Sequence, residues 1–312
     1  MRWLISLLVL ALVAATPASA QKRIALTFDD VPRSRGAFLT PDERTVKLIA
    51  GLKRAGVRQA AFFVNPGNLA NQDGKGGEDR ILAYVAAGHV IANHSFSHPH
   101  LSGATGIGAE AYLADIDRAE AWLKGREGYR PWFRFPFLDE GGSDKAKRDA
   151  LRAGLKARGL RNGYVTVDGA DWNMESNAIM AARAGKTMDL AALRDLYVET
   201  MAEAADAYDR LARKALGRSP VHNLLLHETD LAALWIADLV AELRRRGWEI
   251  VTADKAFADP ISRIVPNVPS AQGTLTEAIA WEKGLPEPRW YERNDTKVAN
   301  ALFAERVLKE KP

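Results

Sequence analysis

The chain has 312 residues, 47% hydrophobic and 26% charged, which is long and apolar enough to bury a substantial core. The formal charge is only +4 and the basic runs, 126–134 and 244–246, are short, which argues against a nucleic-acid partner. There is no cysteine, which excludes disulfides, a thiol nucleophile and thiolate ligands. Any metal site must therefore use His, Asp or Glu.

In chain order, Arg2, the apolar run 4–15, Pro17 and Ala18-Ser19-Ala20 read as a signal peptide over 1–20, cleaved before Gln21. The run is shorter than the roughly 20 apolar residues of a membrane span, so no retained anchor is expected. The mature protein is expected to be periplasmic or secreted. Strands are predicted at 24–28, 59–64, 89–93, 132–135, 163–167, 223–227 and 249–252. Helices are predicted between them at 42–55, 81–87, 109–123, 145–157, 190–216 and 231–246. In the first helix Val46, Ile49, Leu52 and Ala55 share one side. Repeated strand–helix units imply a parallel sheet with helices outside. The expected fold is α/β, a distorted seven-stranded (β/α) barrel, with an open doubly wound sheet as the second choice. Segment 174–188 reads as a loop insertion near the substrate. After Asp259, prolines at 260, 266, 269, 286 and 288 punctuate a stretch with short helices at 276–283 and 296–309. The division expected is 1–20 signal peptide, 21–259 catalytic barrel and 260–312 C-terminal extension packed on it.

Five short segments carry chemistry, and most of them fall at strand ends, where parallel barrels build their sites. Asp29 and Asp30 end the first strand; two carboxylates there can divide metal binding from proton transfer, and alone they are equally good turn formers. His94 and His98 are spaced i, i+4, which on a helical turn puts both imidazoles on one face for a shared Zn²⁺. Asn93 and Ser95 could support them, while His89 and His100 read as structural or solvated. Arg134 sits at the end of the fourth strand and can grip a carboxylate in two-pronged fashion. Asp168 and Asp171 flank a glycine turn, and Trp172 suits a sugar face. An acid beside a histidine would raise that histidine's pKa. His227 ends an apolar strand and is a candidate general acid.

These segments, in order from about Ile24 to Asp254, resemble the polysaccharide deacetylase family, the NodB-homology group also called carbohydrate esterase family 4. The resemblance implies that Asp29 is the general base and that Asp30, His94 and His98 hold a metal, Zn²⁺ or another divalent ion such as Co²⁺. It implies that Arg134 orients Asp29, that Asp171 tunes the general acid His227, and that Trp172 lines the groove. Leu225 would form the acetyl-methyl pocket, and the Phe137 backbone N–H would contact the oxyanion. Val31 stands where the family usually has Gly, and its Cβ would narrow the site mouth or alter the loop. Phe137 stands where Tyr is more usual. The implied activity is removal of N- or O-linked acetyl groups from a carbohydrate. The alternatives are a catalytically silent glycan-binding protein on the same scaffold and a related hydrolase acting on a non-sugar amide.

Overall fold

The computed structural model describes residues 21–310, and the expected signal peptide lies outside them. Strand β1 (Lys22–Val31) sets the frame. Ile24, Leu26 and Phe28 enter the main apolar cluster beneath the helices, so the alternate residues Ala25, Thr27 and Asp29 face the barrel interior. Next to β1 lies β2 (Ala61–Val64), followed outward by β3 (Val90–Asn93), β4 (Tyr129–Phe133) and, past the short β5 (Asp139–Gly142), by β6 (Arg161–Asn162). On the other side of β1 come β8 (Val221–His227) and then β7 (Val167–Asp168), while β9 (Trp248–Ile250) pairs with the start of β1. All of these pairings are parallel. The path β6-β4-β3-β2-β1-β8-β7 leaves β6 and β7 unpaired with each other. The sheet is thus a curled, incompletely closed seven-stranded barrel, as the strand–helix alternation predicts.

The helices are α1 (Pro41–Arg54), α2 (Gly77–Ala86), α3 (Ala109–Leu123), α4 (Lys145–Ala157), α5 (Asp171–Arg183), α6 (Leu190–Leu216), α7 (Asp230–Arg245), α8 (Ala253–Phe257), α9 (Leu275–Glu282) and α10 (Thr296–Arg306). Helix α1 starts on a capping box in which Thr40 and Glu43 satisfy each other's backbone N–H groups. Its buried face differs from the expected one. Arg44, Thr45, Leu48 and Leu52 point inward, and Val46 is 68% exposed. The reason is electrostatic, because the buried Arg44 guanidinium pairs with the equally buried Asp230 at 2.8 Å. Segment 174–188 also departs from expectation, since most of it is helix. Met174, Ala178 and Ala181 form a buried stripe at helical spacing along α5.

The stretch after residue 259 closes part of the open seam. Strand β10 (Ala271–Gln272) pairs antiparallel with β5. Gly273 N donates to Leu138 O (3.1 Å), Leu275 N to Val165 O (2.8 Å), and Thr276 Oγ1 to Thr166 O (2.9 Å). Among the described residues no helix is long and apolar enough to cross a membrane.

Candidate active site

Parallel register between β1 and β8 places Asp29 directly beside His227 and Thr27 beside Leu225. Both pairs project to the interior face, so the two residues expected to move protons sit side by side by strand geometry alone. Asp29 is 2% exposed. Arg134, which follows β4, donates from one nitrogen, Nη1, to Asp29 Oδ1 (2.7 Å) and to Thr27 Oγ1 (2.8 Å). Its Nε and Nη2 donate to the Gly163 and Tyr164 carbonyls, and its guanidinium lies 3.9 Å over the Phe63 ring. The expected two-pronged grip on a carboxylate is not present, because the neighbouring backbone carbonyls take the other donors. The consequence is that Asp29 Oδ2 is left facing the site.

Asp30 has φ 65°, which turns its carboxylate toward His94 and His98. One ligand atom each from Asp30, His94 and His98 lie within 4.8 Å of one another. The two histidines do not share a helical turn. They sit in an irregular loop after β3 in which Ser95 and His98 both have positive φ. Asn93 Oδ1 accepts from Ser95 N (2.7 Å), Ser95 Oγ accepts from His98 N (3.0 Å), and Asp115 accepts from Phe96 N and Ser97 N. The i, i+4 spacing therefore succeeds through a pinned loop.

The donor set fits a cation on evidence internal to the site. His94 Nδ1 donates to the Arg134 carbonyl at 2.9 Å, so its Nε2 carries the lone pair. That bare nitrogen faces Asp30 Oδ1 at 3.4 Å and Asp29 Oδ2 at 3.7 Å. Asp30 Oδ1 is buried, lies 3.1 Å from His98 Nε2, and has no hydrogen-bond donor among the described residues. Lone pairs converging on one point are relieved by a positive ion, and two imidazoles with a carboxylate suit Zn²⁺. Burial opposes the charge on Asp30, but the Arg33 guanidinium, 2.7 Å from Oδ2, helps to hold its carboxyl well below the usual range.

Asp171 is 1% exposed and opens α5 after Ala170, which has φ 52°. Its Oδ1 lies 2.7 Å from His227 Nδ1, and its Oδ2 accepts the His227 backbone N–H at 2.8 Å. Burial works against a charged His227, but the Asp171 charge and hydrogen bond, helped by Asp30, raise its pKa to about 9. Asp168 Oδ1 accepts from Ala170 N and shapes the turn that delivers Asp171. Burial, with Asp171 adding to it, pushes the Asp168 carboxyl up to about 6.

Among the described residues seven non-glycine residues have positive φ, and six of them, Asp30, Ser95, His98, Phe137, Leu138 and Ala170, lie in these loops. Such conformations cost of order 1–3 kcal/mol each, so the surrounding contacts must enforce them. At the rim Phe137 is 45% and Trp172 40% exposed, while Leu225 is 4% exposed beside Thr27. Val31 is fully buried in the core, so its Cβ does not narrow the mouth as expected. His89 is structural, accepting the Ala60 N–H, and burial lowers its pKa to about 4.

A family model described as polysaccharide deacetylase matches residues 16–158. Over that stretch the chain is similar to the polysaccharide deacetylase family. It is 31% identical over 116 residues to a chitin deacetylase of Colletotrichum lindemuthianum. It is 32% identical over 113 residues to a peptidoglycan-N-acetylglucosamine deacetylase of Bacillus cereus. Those stretches cover 37% and 36% of this chain, and 42% and 35% of the two relatives. The fold is shared with a polysaccharide deacetylase structure from Bacillus cereus, with TM-score 0.52 and 19% identity over 74% of this chain and 92% of that one. It is shared equally with the chitin deacetylase structure from Colletotrichum lindemuthianum, with TM-score 0.50 and 21% identity over 77% and 90% of the two chains.

Sequence reasoning missed four supports of this site. Thr27 anchors Arg134, Arg33 takes the outer oxygen of Asp30, and Asp115 pins the histidine loop. Asn65 Nδ2 donates to the His94 and Ser95 carbonyls. Thr27 and Arg33 lie within three residues of Asp30 in sequence, whereas Asp115 and Asn65 act across the fold and leave no local pattern.

Proposed function

We propose that this protein is an exported, metal-dependent hydrolase that removes acetyl groups from a carbohydrate, with residues 21–259 as the catalytic unit and 260–312 as an extension packed on it. The observation that carries the reading is the placement of Asp29 and His227 side by side across β1 and β8, next to the converging lone pairs of Asp30, His94 and His98. A divalent ion held by those three residues, Zn²⁺ or Co²⁺, supplies a Lewis acid that makes water more acidic and polarises the acetyl carbonyl.

The chain's own residues do the rest. Asp29 takes a proton from the attacking water at Oδ2, because Arg134 occupies Oδ1. Arg134 fixes the direction of that carboxylate. The Phe137 backbone N–H donates to the carbonyl oxygen as it gains charge. His227 donates the proton on Nε2 to the leaving nitrogen or oxygen, because Asp171 holds Nδ1. The products are acetate and a free amine or hydroxyl. Leu225 receives the acetyl methyl, and Trp172 and Phe137 offer exposed rings to a sugar face.

The two relatives are named for chitin and for peptidoglycan N-acetylglucosamine, which supports an N-acetylated glycan as the substrate. The test is an acetate-release screen of Zn²⁺- or Co²⁺-loaded protein on chitin oligomers, peptidoglycan strands, acetylated xylan and acetylated exopolysaccharide. Acetate release from an N-acetylated member is the expected outcome. Binding to glycans without any acetate release would favour a catalytically silent glycan-binding protein.

A further inference from the structure

The two histidines of the candidate metal site are held in different ways. The His94 ring is locked by the hydrogen bond from Nδ1 to the Arg134 carbonyl. For the His98 ring no protein acceptor for Nδ1 occurs among the described residues; its only polar side-chain contact there is Nε2 with Asp30. A ligating imidazole ordinarily relies on a hydrogen bond from its second nitrogen to set its orientation. An aromatic contact takes that place here. The Phe137 ring meets the His98 ring edge-on, with centroids 4.6 Å apart and planes at 71°. The His100 ring in turn lies flat on Phe137, 3.9 Å away and 9° from parallel.

Three features show that this stack is built. Phe137 has φ 58°, a conformation unfavourable for an aromatic residue, and that backbone presents the ring to the two histidines. Pro99 joins His98 to His100 with a restricted backbone, so both rings are delivered to the same Phe137 from one short segment. The His100 carbonyl accepts from Ile107 N at 2.9 Å, which ties down the far end of that segment. His100 itself is exposed and its imidazole makes no hydrogen bond among the described residues, so its contact with Phe137 is its one specific interaction there.

We propose that His100 is a positioning residue, which acts through Phe137 to brace the His98 imidazole as a metal ligand. The inference rests on the reading of Asp30, His94 and His98 as the metal site. It assigns no ligating or proton-transfer role to His100 and none to the Phe137 side chain. An aromatic brace replaces the missing hydrogen bond on His98, and it is worth less than a direct one. Loss of the stack is therefore expected to weaken metal binding by roughly 3- to 10-fold, below the 10- to 100-fold typical of a lost hydrogen-bonding partner.

The test uses metal-stripped full-length protein titrated with Zn²⁺, alongside the visible absorption spectrum of the Co²⁺-loaded form. Wild type, His100→Ala and His100→Phe are compared after circular dichroism has shown that each is folded. The expected result is a 3- to 10-fold weaker Zn²⁺ affinity and an altered Co²⁺ spectrum for His100→Ala, with both restored in His100→Phe, which keeps the stacking ring and removes the nitrogens. Unchanged affinity and spectrum in His100→Ala would overturn the brace, including the case in which only the KM for glycan rises. A His100→Phe protein as weak as His100→Ala would also overturn it, since the imidazole nitrogen would then be what matters. Wild type that binds no Zn²⁺ would sink the metal reading itself, an outcome distinct from wild-type binding that His100→Ala leaves intact.

Discussion

Arg134 and His227 show how single side chains set the chemistry. Arg134 is buried, and a single nitrogen, Nη1, donates to both Asp29 and Thr27. Arg134→Met is expected to leave Asp29 without its partner and to lower kcat by about 10²-fold or more, comparable to loss of a proton-transfer group. Steady-state kinetics on the substrate found by the screen would check this, and kcat within threefold of wild type would contradict it. For His227 the sign follows from its raised pKa of about 9. The residue is protonated through neutral pH, so a general acid at this position loses activity as pH rises toward 9, and a cation at Asp30 draws that limb lower. The same shift stabilises the fold fully below the ordinary histidine value of 6.5, and that contribution disappears as pH rises through about 9. Asp171→Asn removes the main support of the charged ring. The alkaline limb of the kcat–pH profile should move to lower pH, and a limb that stays in place would show that Asp171 does not tune His227.

At the scale of elements, strands and helices were legible where apolar residues repeat, and loops were not. Helices α3, α4 and α6 have the bounds that their periodicity predicts. Strand β7 is only two residues long, because the carbonyls of 165 and 166 accept from the segment after residue 273 rather than extending a ladder. Helix α5 read as a loop because its inward stripe is small, yet Met174, Ala178 and Ala181 mark it. The same helix carries Glu175, 2% exposed, which accepts the Asp230 and Leu231 backbone N–H groups. Burial, reinforced by the Asp230 charge, pushes its carboxyl up to about 7 from 4.5. The folded state therefore binds this proton more tightly than the unfolded state. Stability is highest below about pH 4.5 with respect to this group and falls as pH rises to about 7, by on the order of 3 kcal/mol. Glu175→Gln should flatten that part of the curve in denaturant titrations at several pH values. An unchanged slope would mean that Glu175 does not titrate in this range.

For the molecule as a whole, the five separated segments come together because a parallel barrel gathers strand ends at one face. Asp29, His227, Arg134 and the histidine pair were legible because each occupies such an end. Arg33, Asp115 and the His100 stack were not, because their partners are far away in sequence or set by backbone conformations that no periodicity encodes. A cation that binds only the folded chain also stabilises it as a whole, by about 2.7 kcal/mol at a free concentration 100 times its Kd. Added Zn²⁺ should accordingly raise the melting temperature of metal-stripped protein, and chelator should reverse the rise. A melting temperature indifferent to both would argue against the site. The most direct measurement is acetate release from an N-acetylated glycan by wild type and Asp29→Asn, both with bound Zn²⁺ verified and both folded. Turnover by wild type and a loss of about 10²- to 10⁴-fold in Asp29→Asn is the expected result, and acetate release by Asp29→Asn close to the wild-type rate would contradict the assignment of Asp29 as the base.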